Sequence, residues 1–537
     1  MLDRRRLLAG ASALAATAAF PARAAAAPSR AEVLATMKRA TAFMVDKVAY
    51  QGGYVWSYLP DFSRRWGELE AKPTMIWVQP PGTATVGHLF LDAFNATGDA
   101  GYLRAAEQAG GALIRGQHPS GGWNYVIDLA GEESLRDWYA TVGKNAWRLE
   151  EFQHYYGNAT FDDAGTSESM QLLLRLYAQT GDKRVKAALD RAIGFVLDSQ
   201  LPVGGWPQRW PRAGEFSKQG RPDYTGFLTF NDDVAGENIK FLIMAWQVLG
   251  EPRLLDAVHR AMDSFVTTQQ PAPQAGWGLQ HGPDLKPIGA RTYEPTSIVT
   301  HTTANNVAQL MTFYELTGDA RYLARVPEAL DWLDQVALPA ALRVDGRTHP
   351  TFVEPGTNLP LFLHRRGSNV TNGVYWADHD PVGTVGHYSS QRKLDVAGLR
   401  RRYEALKATP PEVASRGSPL KAGRSPLPRF FATRPVEVSD LNSNRGAAPA
   451  AASEAARVAE LVAGLNAEGW WPTMLKSTSH PYRGDSPAEV APGDFSRTLV
   501  GDATDTSPYV TDTPVVGIST GIYVQNMGVL IEHLAAD

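Results

Sequence analysis

The chain has 537 residues, a formal net charge of −4, 44% apolar and 20% charged residues, and no cysteine. That balance is globular, and it excludes a disulfide framework, a thiolate metal centre and a cysteine nucleophile. A sequence pI near 6.3 also excludes a nucleic-acid binder held by a broadly basic surface.

Residues 1–24 read as an export signal. Arg4, Arg5 and Arg6 precede an Ala/Leu-rich run, and Ala22-Arg23-Ala24 supplies an A-x-A cleavage site. The order Arg-Arg-x-Leu-Leu resembles a twin-arginine signal, so the expected destination is periplasmic or extracellular. Removing this segment takes away four basic residues and one acid, which leaves a more acidic remainder. No other run is long and apolar enough to span a membrane.

Residues 25–400 are organised by an internal repeat. Helix-period runs flank turns at Thr97-Gly98-Asp99, Thr180-Gly181-Asp182, Gly250-Glu251 and Thr317-Gly318-Asp319. Gly stops one helix and Asp caps the next. The first three units end alike, at Gln117…Gly121-Gly122-Trp123, Gln200…Gly204-Gly205-Trp206 and Gln270…Gly276-Trp277. Stacked helical hairpins predict an all-α fold, an α/α toroid with long loops at one end and an irregular C-terminal elaboration. The Gly-Trp loops have two readings, with Trp123 and Trp206 either capping helix ends or stacking on sugars. Residues 401–455 read as a Pro/Ser/Arg-rich insert, and 456–537 as the helical closure of the toroid. From Arg392 to Arg434 there are eleven Lys or Arg against three Asp or Glu. This is read as a solvated loop, with contact to an acidic polymer as the alternative.

Two acidic elements open successive units, Phe161-Asp162-Asp163-Ala164 and Thr229-Phe230-Asn231-Asp232-Asp233. Consecutive helix starts in a toroid share a rim, so these carboxylates and Asn231 are expected to converge. Such oxygen donors suit Ca²⁺. Arg291, in Gly289-Ala290-Arg291-Thr292-Tyr293-Glu294, opens the fourth unit and is expected at the same rim.

These elements, with Gly204-Gly205-Trp206-Pro207-Gln208, occur in the order of polysaccharide lyase family 10 pectate lyases, which the chain resembles over roughly residues 145–385. Thr357-Asn358-Leu359-Pro360, Phe362, Arg365 and Gly367 resemble a later element of that family. The resemblance implies calcium-assisted β-elimination of de-esterified polygalacturonate, giving 4,5-unsaturated products, with Arg291 as general base. It implies that Asp162, Asp163, Asp232 and Asp233 hold calcium and substrate, which member of each pair does which being open. Asp163 and Asp232 are assigned to the metal, and Asp162 and Asp233 to substrate beside Arg365 of the later element. Arg366, as a neighbouring cation, and Trp206, as a stacking face, are further substrate candidates. An acidic protein attracts a polyanion only through a local cationic cleft, for which Arg291, Arg365 and Arg366 are the candidates. The expected partner is therefore an acidic polysaccharide, with no nucleic acid, no membrane span and a monomeric chain. Three rivals remain at this level. One is a glycoside hydrolase using the paired Asp residues. Another is an isoprenoid cyclase, because Gln-x-x-x-Gly-Gly-Trp resembles the Gln/Trp repeat of those toroids. The third is a non-catalytic glycan-binding protein.

Overall fold

In the computed structural model, the residues described are 28–146, 150–217, 220–366, 374–384, 389–433, 436–437, 441, 455–475 and 515–536. The expected export signal at 1–24 lies outside them.

The repeated turns behave as their residues dictate. Gly98, Gly181, Gly250 and Gly318 all adopt positive φ, between 66° and 76°, and close the preceding helix. Asp99, Asp182 and Asp319 then accept the backbone N–H two residues on, capping the next element. At the third turn, Gly250-Glu251, Pro252 takes the first helical position instead. The resulting hairpins are α2 (Thr83–Thr97) with α3 (Ala100–Arg115), α5 (Gly165–Thr180) with α6 (Lys183–Ser199), α7 (Val234–Leu249) with α8 (Pro252–Thr268), and α9 (Thr300–Thr317) with α10 (Val326–Gln335). A short helix α4 (Glu132–Thr141) lies in the loop before α5.

Chain ends complete the array. The last helix, α15 (Thr520–Ala536), packs on α2 and on α1 (Arg30–Phe43), while α14 (Ala455–Gly464) packs on both α1 and α15. Inner helices α15, α2, α5 and α7 neighbour one another in that order. The inner helix α7 buries residues around its whole circumference, among them Ile239, Phe241, Leu242, Ile243 and Met244. Its outer partner α8 buries one stripe, Leu254, Ala257, Val258, Ala261, Met262 and Phe265. The fold is an α/α toroid, as the repeat predicts.

The Gly-Trp loops fasten the hairpins to each other. Trp123, Trp206 and Trp277 are fully buried, and their indole N–H groups donate to Leu113, Val196 and Phe265 carbonyls on the helices just ended. Helix capping is therefore what these residues do. Trp206 has no face for a sugar, which corrects the expectation of a stacking role. Each loop Gln bridges its own loop and the next outer helix: Gln117 donates to Gly121 and Ala188, and Gln200 to Gly204 and Ala257. In the third unit Gln269 does this, bonding Ala275 and Arg325, so the repeat runs through Gln269 and not Gln270. A fourth copy escaped the sequence reading because Asn466 replaces Gln. Asn466 receives the N–H groups of Gly469 and Trp470, and Trp471 donates to Leu461.

Residues 396–433 form a strap. Helix α11 (Val396–Lys407) packs on α9 and α10, and the short helices α12 (Pro411–Ala414) and α13 (Pro419–Ala422) lie on α9. The chain then crosses the lower ends of the inner helices. Ser425 N–H donates to Gln247 on α7, Arg175 on α5 donates to Arg429, and Asp92 on α2 accepts from Phe431 and Ala432. The basic residues of this stretch mostly fasten helices. Arg402 binds Ala308 and Glu315, Arg424 binds Leu249 and Arg429 binds Asn95, each near an inner helix C-terminus. Cations belong there because that end of the helix dipole is negative. Most cations of the stretch, among them Arg401, Lys407, Arg416, Arg424 and Arg429, nevertheless stay exposed, as a solvated segment does.

Two glycines test this construction. At Gly204 (φ 106°) a Cβ would sit 1.9 Å from the Arg260 carbonyl oxygen, whereas at Gly194, inside α6, it meets nothing within 4 Å. Gly204→Ala is expected to destabilise by at least about 2 kcal/mol, and Gly194→Ala to stabilise by about 0.5–1 kcal/mol. Denaturant unfolding of both variants checks the contrast.

Candidate active site

The inner helices α2, α5 and α7 start with the same tie. Val78, Phe161 and Phe230 N–H groups donate to the Tyr125, Gln208 and Leu279 carbonyls, at 2.8–2.9 Å. The next residue therefore holds one place in three successive units: Gln79, Asp162 and Asn231. This corrects the pairing of the acidic elements. Asp162 corresponds to Asn231, Asp163 to Asp232, and Ala164 to Asp233.

Two consecutive residues in each element are left-handed: Asp163 (φ 50°) and Ala164 (φ 57°), then Asp232 (φ 50°) and Asp233 (φ 51°). Such backbone costs about 1–2 kcal/mol per non-glycine residue. It is kept here because it turns Asp163 and Asp232 to the same side as Asp162.

Arg291 stands among them. Its side chain is 3% exposed and pairs with Asp162 at 2.5 Å, Glu294 at 3.0 Å and Glu151 at 3.3 Å. Its backbone N–H also donates to Glu294 (2.9 Å), and Glu294 accepts from Asn231 (3.3 Å). Glu150 accepts from the Thr292 backbone and hydroxyl, fixing the loop from the other side. Arg221 donates to the Arg291 carbonyl, and the Tyr224 ring lies 6.0 Å from the guanidinium. The sequence reading placed Arg291 at this rim. Glu150, Glu151 and Glu294 were missed, because an isolated Glu carries no motif.

Asp162 is fully buried and accepts from the Tyr125 hydroxyl and Arg291, both at 2.5 Å. Burial alone would raise its pKa, but Arg291, Asp232 and Tyr125 outweigh it and hold the carboxylate below its usual range. Asp232 moves the other way. Burial first, then Asp162 and Asp163, push it well above the carboxylate range, and its carboxyl hydrogen-bonds Asp162. The pair is thus driven apart, Asp162 towards the ionised form and Asp232 towards the protonated one. Burial and Asp162 raise Asp163 to about 7, and burial and Asp162 raise Glu151 to about 7 against the pull of Arg291. Glu68 is also raised, by burial, Asp163 and Glu151. Asp232 and Asp233 keep accessible surface although protein surrounds them, as carboxylates lining a concave floor do.

Other expected site residues lie apart from this group. Asp233 is raised to about 7 by burial and Glu237, and its carboxylate lies over the first turn of α7 beside Gly236. Its neighbours Glu237 and Lys240 form an ion pair at 2.6 Å. Arg365 is 1% exposed, on a strand (Pro360–Arg366) paired with Val374–Asp378, opposite Tyr375. Leu363 and Tyr375 of that hairpin cluster with Tyr293, so the hairpin backs the Arg291 loop. The Arg366 side chain lies outside the described residues. A second buried guanidinium, Arg209, donates to Asn158 and Asn124 and lies over Tyr156 and Tyr125, at 4.6 and 5.2 Å from the ring centres.

Among the described residues no three His, Cys, Asp or Glu side chains already surround a metal-sized point. The donor set nevertheless fits a hard divalent cation. Asp162, Asp163, Asp232, Glu68 and Glu151 are carboxylates around the charge of Arg291, and burial and mutual repulsion push all of them but Asp162 towards the protonated form.

Residues 133–380 match the pectic acid lyase family. The match covers somewhat under half of the chain and includes both acidic elements, Arg291 and Arg365. It bears out the resemblance read from those motifs, and it supports a lyase acting on a polysaccharide. Among solved structures, a family 10 polysaccharide lyase from Cellvibrio cellulosa is 18% identical (TM-score 0.41; 60% of this chain, 97% of that one). A cellobiose 2-epimerase from Spirochaeta thermophila is 15% identical (TM-score 0.39; 61% and 74%). An ent-copalyl diphosphate synthase from Streptomyces sp. (strain KO-3988) is 30% identical over 137 residues, 25% of this chain and only a fifth of that protein's length. No helix among the described residues is long and apolar enough to cross a membrane.

Acids with raised pKa values set a pH dependence. The unfolded chain ionises near pH 4, whereas Asp163 and Glu151 hold their protons to about 7. Stability from these groups is therefore greatest below pH 4, falls as pH rises towards 7, and is flat above. Asp163→Asn removes one such charge and is expected to raise the apo melting temperature at pH 8 by a few degrees, with less effect at pH 5. Thermal unfolding in chelator at the two pH values checks this.

Proposed function

We propose that the protein cleaves de-esterified polygalacturonate by calcium-assisted β-elimination, with Arg291 as the base. The observation that carries this reading is a buried arginine held among Asp162, Glu151 and Glu294, inside the segment that matches pectic acid lyases. The C5 proton of a galacturonate lies α to a carboxylate, and its removal expels the C4 oxygen. When bound, Ca²⁺ would supply the charge that stabilises the enolate-like dianion. Asp163 and Asp232 would hold it, with Asp162 facing both them and Arg291.

An arginine base has a difficulty, which the geometry makes specific. Burial pushes the guanidinium towards the neutral form, but Asp162, Glu151, Tyr293 and Glu294 outweigh it and hold the pKa well above its usual value. Arg291 releases a proton only when those carboxylates are engaged elsewhere. Asp162 is the pivot, because its charge serves Arg291, Tyr125 and Asp232 at once. An export signal at residues 1–24, as expected from the sequence, would carry this activity outside the cytoplasm.

The hydrolase alternative needs two carboxyl groups about 5–9.5 Å apart. Asp162 and Asp232 are in hydrogen-bond contact, too close for a sugar or a water between them.

With polygalacturonate and calcium at alkaline pH, the expected product absorbs as a conjugated unsaturated uronate, and a chelator abolishes it. Absence of product under those conditions overturns the reading. Arg291→Lys should lower kcat by about 10²-fold or more, and activity should rise with pH. Maximal turnover below neutrality, or wild-type turnover in that variant, would remove Arg291 from the base role.

A further inference from the structure

Gln79 lies outside the segment that matches pectic acid lyases, yet its side chain reaches Asp163. It is 2% exposed. Its carbonyl oxygen accepts from the Trp77 indole N–H at 2.7 Å, and its amide nitrogen donates to Asp163 at 2.7 Å and to Glu68 at 3.1 Å. The indole bond settles the amide's orientation, since a flipped amide would set NH₂ against N–H. Both amide protons then face carboxylates, one each.

The support behind the amide is stiff. Trp77 is fully buried against Trp56, Trp138 and Phe152, with ring centres 5.9–6.1 Å away. Gly67 makes room for the indole, because a Cβ there would lie 1.9 Å from the ring. The next residue is Glu68, so one short segment seats Trp77 and delivers the second carboxylate. The contact also follows the repeat. Gln79 holds the place of Asp162 in the preceding unit, and each reaches the next unit's left-handed aspartate, Gln79 to Asp163 and Asp162 to Asp232.

We propose that Gln79 is a positioning residue that fixes the Asp163 carboxylate for cation binding, and that the amino-terminal unit thereby completes the site. This rests on the calcium reading above. Without the amide, Asp163 and Glu68 face each other with no donor between them, and Asp163 turns away from Asp232.

The test is calorimetric titration of calcium chloride into the full chain at pH 8, for wild type and Gln79→Met, beside calcium-dependent turnover. The expected result is calcium affinity weakened about tenfold in Gln79→Met, with kcat at saturating calcium within about threefold of wild type. A merely structural role would lower the melting temperature and leave affinity unchanged, and affinity within twofold of wild type overturns the proposal. If Gln79→Met does not fold, Trp77→Phe keeps the amide but frees its orientation. A smaller weakening is then expected, and unchanged affinity again counts against the proposal. Wild-type protein that binds no calcium overturns the calcium reading, and the proposal with it.

Discussion

Arg291 is a buried positive charge facing more negative charge than it can neutralise. Glu151, Asp162 and Glu294 touch it, and Asp163, Asp232 and Glu68 lie close behind. Taking ions out of water costs several kcal/mol each unless partners restore what hydration gave. One Asp162 oxygen receives both Arg291 and Tyr125, which favours its ionised form. The surplus falls on Asp163, Asp232, Glu68 and Glu151, which are pushed towards the protonated form instead. The calcium proposed above would displace protons from the raised acids, whereas Asp162 is already held towards the ionised form by Arg291.

That arrangement depends on the toroid. No single loop contains the site. Gln79, Asp162 and Asn231 occupy one repeated position at the start of three inner helices, and each is delivered there by a backbone tie to the Gly-Trp loop that ends its own hairpin. The Gly-Trp loops are in turn pinned by buried indoles and bridging Gln side chains. Strain in the acidic elements, two left-handed residues in each, is tolerable because the flanking helix and tie hold both ends. The same rigidity brings side chains more than a hundred residues apart, such as Asp162 and Arg291, within hydrogen-bonding distance.

Much of this was legible in the sequence for definable reasons. Turns with Gly and Asp at fixed places announced the hairpins, and paired aspartates at repeated helix starts announced the rim. Reading failed where one residue type has two uses. Trp206 beside two glycines suggests a sugar platform, but only its burial shows that the indole caps a helix. Asp162-Asp163 and Asp232-Asp233 look equivalent as dipeptides, and only the backbone shows that the second element begins at Asn231. Glu68, Gln79 and Glu151 sit in irregular segments with no periodicity, so nothing local marks them. In the basic strap, charge composition does not reveal which exposed cations, such as Arg424 and Arg429, also bind carbonyls at helix C-termini.

Residues 133–380 contain the acidic elements and Arg291, but they do not contain the site. Tyr125, which donates to Asp162, precedes that segment, as do Gln79 and Glu68. The strap that crosses the inner helices at Gln247, Arg175 and Asp92 follows it, and α15, which packs on α2, comes from the chain's last residues. A ring has no free edge at which it can be shortened. Cutting it at 133 would remove the Tyr125 hydroxyl that donates to Asp162 and the Gln79 amide that donates to Asp163, while leaving every residue of the acidic motifs in place. Motif residues define which chemistry is possible, and the surrounding units set the protonation and direction that chemistry requires.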